Sequence, residues 1–209
     1  MGKFCLALFS ALLLYCSSYS QETIFKITQT YFRSDPFGKE FSSFVSHLLN
    51  DPTLTNKITE KKTDSTLFFF QGTYTTHNPF FFKPKRVEVI LTETPVKLDS
   101  LTTDTIYTYQ LLAYNNDTKE GVQELKKEFE KICRRYKGGF FKSTFTENPW
   151  ESKSGSGGMY IFFDRFHAVA PFVLGWGGPD ENKEMCLILT IRMDTYNNQA
   201  ILPVPFYAP

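Results

Sequence analysis

The sequence predicts an α+β domain built on a mainly antiparallel sheet, with two principal helices packed on one face. Three observations carry this. Short alternating stretches separated by turn residues run through most of the chain and read as hairpin-connected strands. Only two long segments, beginning near Asp35 and near Asp117, repeat apolar residues at helical spacing. The order is one helix and about three strands, then one helix and three or four strands, which predicts a doubled α-β-β-β unit.

The chain opens with Lys3, an apolar run from Phe4 to Tyr15 and the small residues Ser17, Ser18 and Ser20. That is the pattern of a signal peptide, with Ser18 and Ser20 placed for cleavage before Gln21. The apolar run falls well short of the roughly twenty residues that a membrane-crossing helix needs, so no transmembrane anchor is expected. Lipidation at Cys16 is the alternative, and Tyr15 argues against it, because that processing takes a small residue before the cysteine. The expected organisation is therefore a leader over 1–20, a single α+β domain over 21–200 and an extended tail over 201–209 carrying Pro203, Pro205 and Pro209. The expected location is secreted or periplasmic.

Within the domain, Gln21 to Phe32 alternates, with Phe25, Ile27 and Tyr31 on one side, and reads as a strand. Asp35 and Pro36 are a helix start, Phe37, Phe41, Phe44, Val45, Leu48 and Leu49 recur at helical spacing, and Pro52 ends the helix at Asn50. The polar stretch over 51–65 reads as connection with a short helical turn near Leu54 to Ile58. Leu67 to Tyr74 and Phe80 to Thr94 form a hairpin around Thr75 to Pro79, and Ile106 to Tyr114 adds a strand.

Asp117 or Thr118 caps the second helix, whose stripe is Val122, Leu125, Phe129, Ile132 and Tyr136 and which Gly138 and Gly139 terminate. Its glutamates come early and its lysines and arginines late, which complements the helix dipole. Phe140 to Thr146, Met159 to Phe163, Phe166 to Trp176 and Met185 to Asp194 are strands, and Asn148 to Gly158 is a loop.

The whole chain holds 23 Lys and Arg against 22 Asp and Glu, and the excess charge is Lys3, so the domain after the leader is formally neutral. Neutrality argues against nucleic-acid binding, which draws on a basic surface. Cys133 and Cys186 remain after the leader and are a candidate disulfide in an oxidising compartment. The competing reading is two thiols on different sheet faces, since Cys186 alternates away from Met185, Leu187 and Leu189.

Chemistry is sparse. His47, His77 and His167 do not fall at metal-ligand spacing, and His47 sits on the polar side of its helix. Asp164, Arg165 and His167, with Cys133 or Cys186 as nucleophile, are the residues a catalytic thiol would use, but a turn is the plainer reading. Gly155, Gly157 and Gly158 lack the lysine and hydroxyl that complete a phosphate loop. Asn116, Asp117 and Thr118 form an N-glycosylation sequon that matters on a eukaryotic secretory route.

No catalytic, metal or cofactor residue is assigned. Aromatic residues make up 17% of the chain, including 22 phenylalanines, more than a helix-on-sheet core needs. The expected function is a binding or interaction module that uses an aromatic surface or apolar cleft for a protein, peptide or lipid-like ligand. Its candidate contact residues are Trp176, Phe172, Trp150 and Tyr207. The alternatives are an extracytoplasmic hydrolase and a structural subunit of an envelope assembly.

Overall fold

An unbroken apolar row crosses six strands and defines the core. It runs Phe70, Leu91, Tyr109, Ile191, Phe172, Phe162, each paired in register with the next and each fully buried. The computed structural model describes residues 21–37, 40–61, 66–97, 103–147, 156–163 and 170–194. The expected leader, its cleavage point and the Pro-rich tail lie outside the described residues.

Eight strands form one antiparallel sheet: β1 (Leu54–Lys61), β2 (Phe68–Tyr74), β3 (Arg86–Lys97), β4 (Thr103–Asn116), β5 (Lys142–Glu147), β6 (Ser156–Phe163), β7 (Phe172–Gly178) and β8 (Glu184–Asp194). Their spatial order is β1-β2-β3-β4-β8-β7-β6-β5. Each half is thus a contiguous four-strand meander, and the two meet where β4 pairs with β8, Leu111 opposite Leu189. The doubled unit is present with four strands per half, because the polar stretch after Asp51 forms β1. No short helical turn occupies Leu54 to Ile58; Leu54 pairs with Tyr74, and a register shift between Thr55 and Ile58 places Asn56 at φ 49°.

Three helices cover the row. Residues 21–31 form α1, where alternation predicted a strand. The buried set is Thr23, Ile24, Ile27, Thr28 and Tyr31, a helical stripe, and it overrides the strand preference of the β-branched residues. Thr28 and Thr30 return their hydroxyls to the carbonyls of Ile24 and Lys26, which satisfies them inside the helix. Helix α2 (Phe41–Asn50) ends where Pro52 demands but begins later than Asp35. Asp35 instead accepts from the Phe37 amide at 2.9 Å, a local turn that competes with helix initiation.

Helix α3 (Lys119–Tyr136) follows its pattern closely: Thr118 accepts from the Gly121 amide, and Leu125, Phe129, Ile132 and Tyr136 are buried. Gly121 is required there, since a Cβ would stand 2.4 Å from the Asn116 carbonyl oxygen. Phe44 of α2 meets Tyr109 at 5.1 Å between centroids, and Phe129 of α3 meets Tyr160 at 5.7 Å. Tyr109 and Tyr160 share the face of the apolar row, so both principal helices pack on one side of the sheet, as expected.

Helix α1 lies against the end of α3, with Tyr136 Oη donating to Thr30 Oγ1 at 3.2 Å and Tyr31 edge-on to Tyr136. Gly139 permits this approach, because a Cβ would fall 2.0 Å from Thr23 Oγ1.

Phe80 to Lys85, expected as strand, is a turn in which Phe80 and Phe82 point inward while Phe81 is 83% exposed. The Asn78 side chain accepts from the Phe80 amide and donates to the Phe82 carbonyl, which satisfies the backbone without a partner strand. The expected surplus of phenylalanine goes largely into the core: Phe81, Phe141 and Phe145 are the exposed ones among the described residues. Each buried ring contributes roughly 1.5–3 kcal/mol of transfer free energy.

Candidate ligand cavity

The chain leaves α1 at Phe32, whose ring packs 4.6 Å from Tyr109, and this anchor holds Arg33 and Ser34 across from the end of α2. Between them is a cavity of about 410 Å³ lined by Arg33, Ser34, His47, Asn50, Asp51 and Pro52.

Asp51 organises its wall. Its carboxylate accepts from the Thr53 amide at 2.8 Å and the Thr53 hydroxyl at 2.6 Å, and Arg33 Nε lies 3.5 Å from Oδ2. Burial alone would raise its pKa, but the two Thr53 hydrogen bonds and the charge of Arg33 outweigh that and hold it below the usual value. Lys57 Nζ donates to the Leu49 and Asp51 carbonyls at 2.6 and 2.7 Å, which offsets the negative end of the α2 dipole.

Against this satisfied wall stands an unsatisfied group. Ser34 is 2% exposed, and its hydroxyl has no hydrogen-bond partner among the described residues. Arg33 meets Asp51 through Nε, on a side chain that is 45% exposed. His47 sits at the rim, exposed on α2 as expected from its position on the polar side.

On the helix-covered face the Tyr74 and Tyr109 hydroxyls are buried next to one another, and neither makes a hydrogen bond of normal geometry among the described residues. Burial pushes Tyr74 up to about 12. His77 Nε2 donates to the Tyr31 carbonyl at 2.7 Å, which ties the following turn to α1; burial pushes its pKa down.

A second polar cluster lies on the opposite face of the sheet. Arg86 Nε donates to Glu88 at 2.8 Å, Arg86 Nη1 and Lys85 both bond Glu184, Gln71 donates to Glu88, and the Arg86 guanidinium stacks 3.5 Å over Tyr114. Each charge is matched, so the cluster stitches β2, β3, β4 and β8 together and leaves nothing for a ligand. Cys186 lies beside it, where burial and the Glu88 carboxylate push its thiol far up, the opposite of what a nucleophile needs.

The cysteines are both free, and the disulfide expectation is corrected. Cys133 is buried on α3, above the helix-covered face, whereas Cys186 alternates to the other face with β8 between them. The contact-surface expectation is corrected too. Phe172 is fully buried, stacked on Phe140 and Phe162, and Trp176 is 7% exposed under Lys126. Strand alternation puts both on the covered face, so neither is presented to a partner. Trp150, Tyr207 and the cluster Asp164, Arg165 and His167 lie outside the described residues. Asn116 is exposed at the end of β4, where a glycan acceptor would be accessible.

Arg33, Ser34 and Asp51 drew no attention as site residues in the sequence. Asp51 shows only as the residue before Pro52, and Arg33 and Ser34 as a polar break. The available signal was the aspartate-proline-threonine turn, whose carboxylate folds back on the Thr53 amide. Among the described residues no group of His, Cys, Asp and Glu is arranged to hold a metal ion, and no helix is long and apolar enough to cross a membrane. No family model matches the chain, and neither the curated proteins nor the solved structures yielded a match.

Proposed function

We propose that this is an exported binding protein that holds a small polar ligand between the Arg33–Ser34 turn and the C-terminal end of α2. The observation that carries the reading is the cavity of about 410 Å³ itself, which brings Arg33 and Ser34 from the turn after α1 to His47, Asn50, Asp51 and Pro52 at the end of α2. Export rests on the leader pattern over 1–20. The ligand is polar rather than lipid-like, because the aromatic surplus is spent in the core.

The hydrolase reading has one observation in its favour: Ser34, His47 and Asp51 line the same cavity. A nucleophilic relay needs the carboxylate to orient the imidazole. Asp51 gives its oxygens to Thr53 and Arg33 and makes no hydrogen bond to His47, which favours binding over hydrolysis.

The test is two-dimensional NMR of the labelled protein against a library of small polar fragments. Shifts concentrated at Arg33, Ser34 and His47, weakened in an Arg33→Ala variant that remains folded, are the expected result. A library that leaves these signals unmoved at millimolar concentration rejects the cavity as a binding site.

A further inference from the structure

We infer that a second cavity, between α1 and the end of α3, binds a divalent oxyanion, the phosphate or sulfate group of a small ligand. The inference does not rest on the Arg33 cavity, and the two spaces have no lining residue in common.

A space of about 660 Å³ lies where α1 packs against the end of α3, with Lys26 and Gln29 on one side and Arg134, Arg135 and Gly138 on the other. Two hydroxyls on its wall are already satisfied: Tyr136 Oη donates to Thr30 Oγ1 at 3.2 Å, and Thr30 Oγ1 donates to the Lys26 carbonyl at 2.6 Å. Gly138 keeps the space clear, since a Cβ there would meet no atom within 4 Å.

Charge then selects the occupant. Lys26, Arg134, Arg135 and Glu22 line the cavity, three cations and one carboxylate. Glu22 is ion-paired with Lys26 one turn along α1, so those two charges cancel and both arginines remain. All three cationic residues are exposed, so a ligand in the cavity reaches them. The arginines are also tethered at the helix end: the Arg135 guanidinium lies 5.2 Å over the Tyr136 ring, and Arg134 Nε donates to the Glu130 carbonyl at 3.4 Å.

The end of α3 explains only part of this charge. A helix C-terminus presents about half a negative charge, which one arginine more than offsets. The lining excess of two, three cations less one carboxylate, therefore leaves about one and a half positive charges facing the space. That favours a dianion over a carboxylate and excludes an ammonium group. Guanidinium groups suit such a dianion, because their planar N–H pairs match the oxygen spacing of phosphate and sulfate.

The experiment titrates the labelled protein with inorganic phosphate, sulfate, acetate and methylammonium at about pH 7.5 and fixed ionic strength, following the Lys26, Gln29 and Gly138 amide signals. Phosphate and sulfate are expected to saturate these shifts, and the stronger of the two names the ligand's group. Acetate should bind roughly tenfold more weakly, and methylammonium should leave the signals in place. Arg134→Gln and Arg135→Gln should each weaken the dianion roughly three- to tenfold, and the double variant more, with circular dichroism unchanged. Lys61→Gln removes an exposed cation from β1 at the other edge of the sheet and should change the affinity less than about twofold. Equal weakening by Lys61→Gln would reduce the effect to overall charge and overturn the site, as would full affinity in the double arginine variant. Acetate or methylammonium binding as tightly as the dianions would overturn the chemical assignment. Signals unmoved by every probe would overturn the second cavity as a site and leave the Arg33 cavity to its own fragment test.

Discussion

Arg33 Nε stands 3.5 Å from Asp51 Oδ2, and that contact joins the turn after α1 to the residue that closes α2. The two partners are unequal. Asp51 is buried and carries two further hydrogen bonds, whereas the Arg33 side chain is 45% exposed.

Truncating them should therefore give different losses. Asp51→Ala leaves the Thr53 amide and hydroxyl without an acceptor and is expected to cost about 2 kcal/mol. Arg33→Gln removes one half-exposed ion pair and should cost less than about 1 kcal/mol. Urea unfolding at neutral pH measures both, and equal losses would show that Asp51 is held by Arg33 alone. Because the folded pKa of Asp51 lies below its unfolded value, its contribution is complete above about pH 4 and is lost as pH falls through the folded pKa.

His77 sets a second window. Its folded pKa is depressed by burial, so below about pH 6.5 the unfolded chain takes up a proton that the folded chain resists. Stability from this residue is full above that value and declines as pH falls toward the folded pKa. The loss between pH 7.5 and 5.5 should be smaller in His77→Gln than in the native protein, and identical losses would exclude His77 as the source.

Phe172 and Phe81 make a paired test of where the aromatic residues work. Phe172 is fully buried between Phe140 and Phe162, and its replacement by alanine should cost about 3–5 kcal/mol. Phe81 is 83% exposed, and Phe81→Ala should change stability by less than about 0.5 kcal/mol. Thermal unfolding distinguishes the two, and a large loss at Phe81 would mean that its ring is packed in solution.

The thiols are the fourth test. With Cys133 and Cys186 on opposite faces of the sheet, both peptides should carry an alkyl group after unfolding in iodoacetamide with no reductant. Recovery of a crosslinked peptide pair would contradict the fold. Without denaturant, alkylation of Cys186 should be slow at pH 8, since burial keeps its thiol protonated.

These residues also show how far the sequence could be read. Helix α3 is legible because Thr118, the apolar stripe and the closing glycines all point the same way. Strand β3 is legible because Val87, Val89 and Leu91 alternate with Glu88, Ile90 and Thr92, a wetter side. Helix α1 was misread because Ile27 and Tyr31 satisfy both periods, and what breaks the tie is packing against Tyr136 and Phe80 from distant parts of the chain. Phe172 and Trp176 were assigned to the surface because a count of aromatic residues carries no direction, whereas β7 in its register with β8 does. The cavity was illegible for a related reason. It joins residues 33–34 to 47–52 through the docking of Phe32 on Tyr109, a contact no local pattern encodes.

The seam between β4 and β8 has a consequence for how the molecule is born. β4 finds one neighbour in β3 at once, but its other margin waits for Glu184 to Asp194, the last strand described. At a synthesis rate of about 5–20 residues per second, that margin stays open for several seconds of elongation. An open margin carrying Tyr107, Tyr109 and Leu111 is a template for intermolecular pairing. A polypeptide interrupted before Glu184 should therefore precipitate rather than persist as a soluble half-molecule, and the nascent chain needs shielding until its final strand is made.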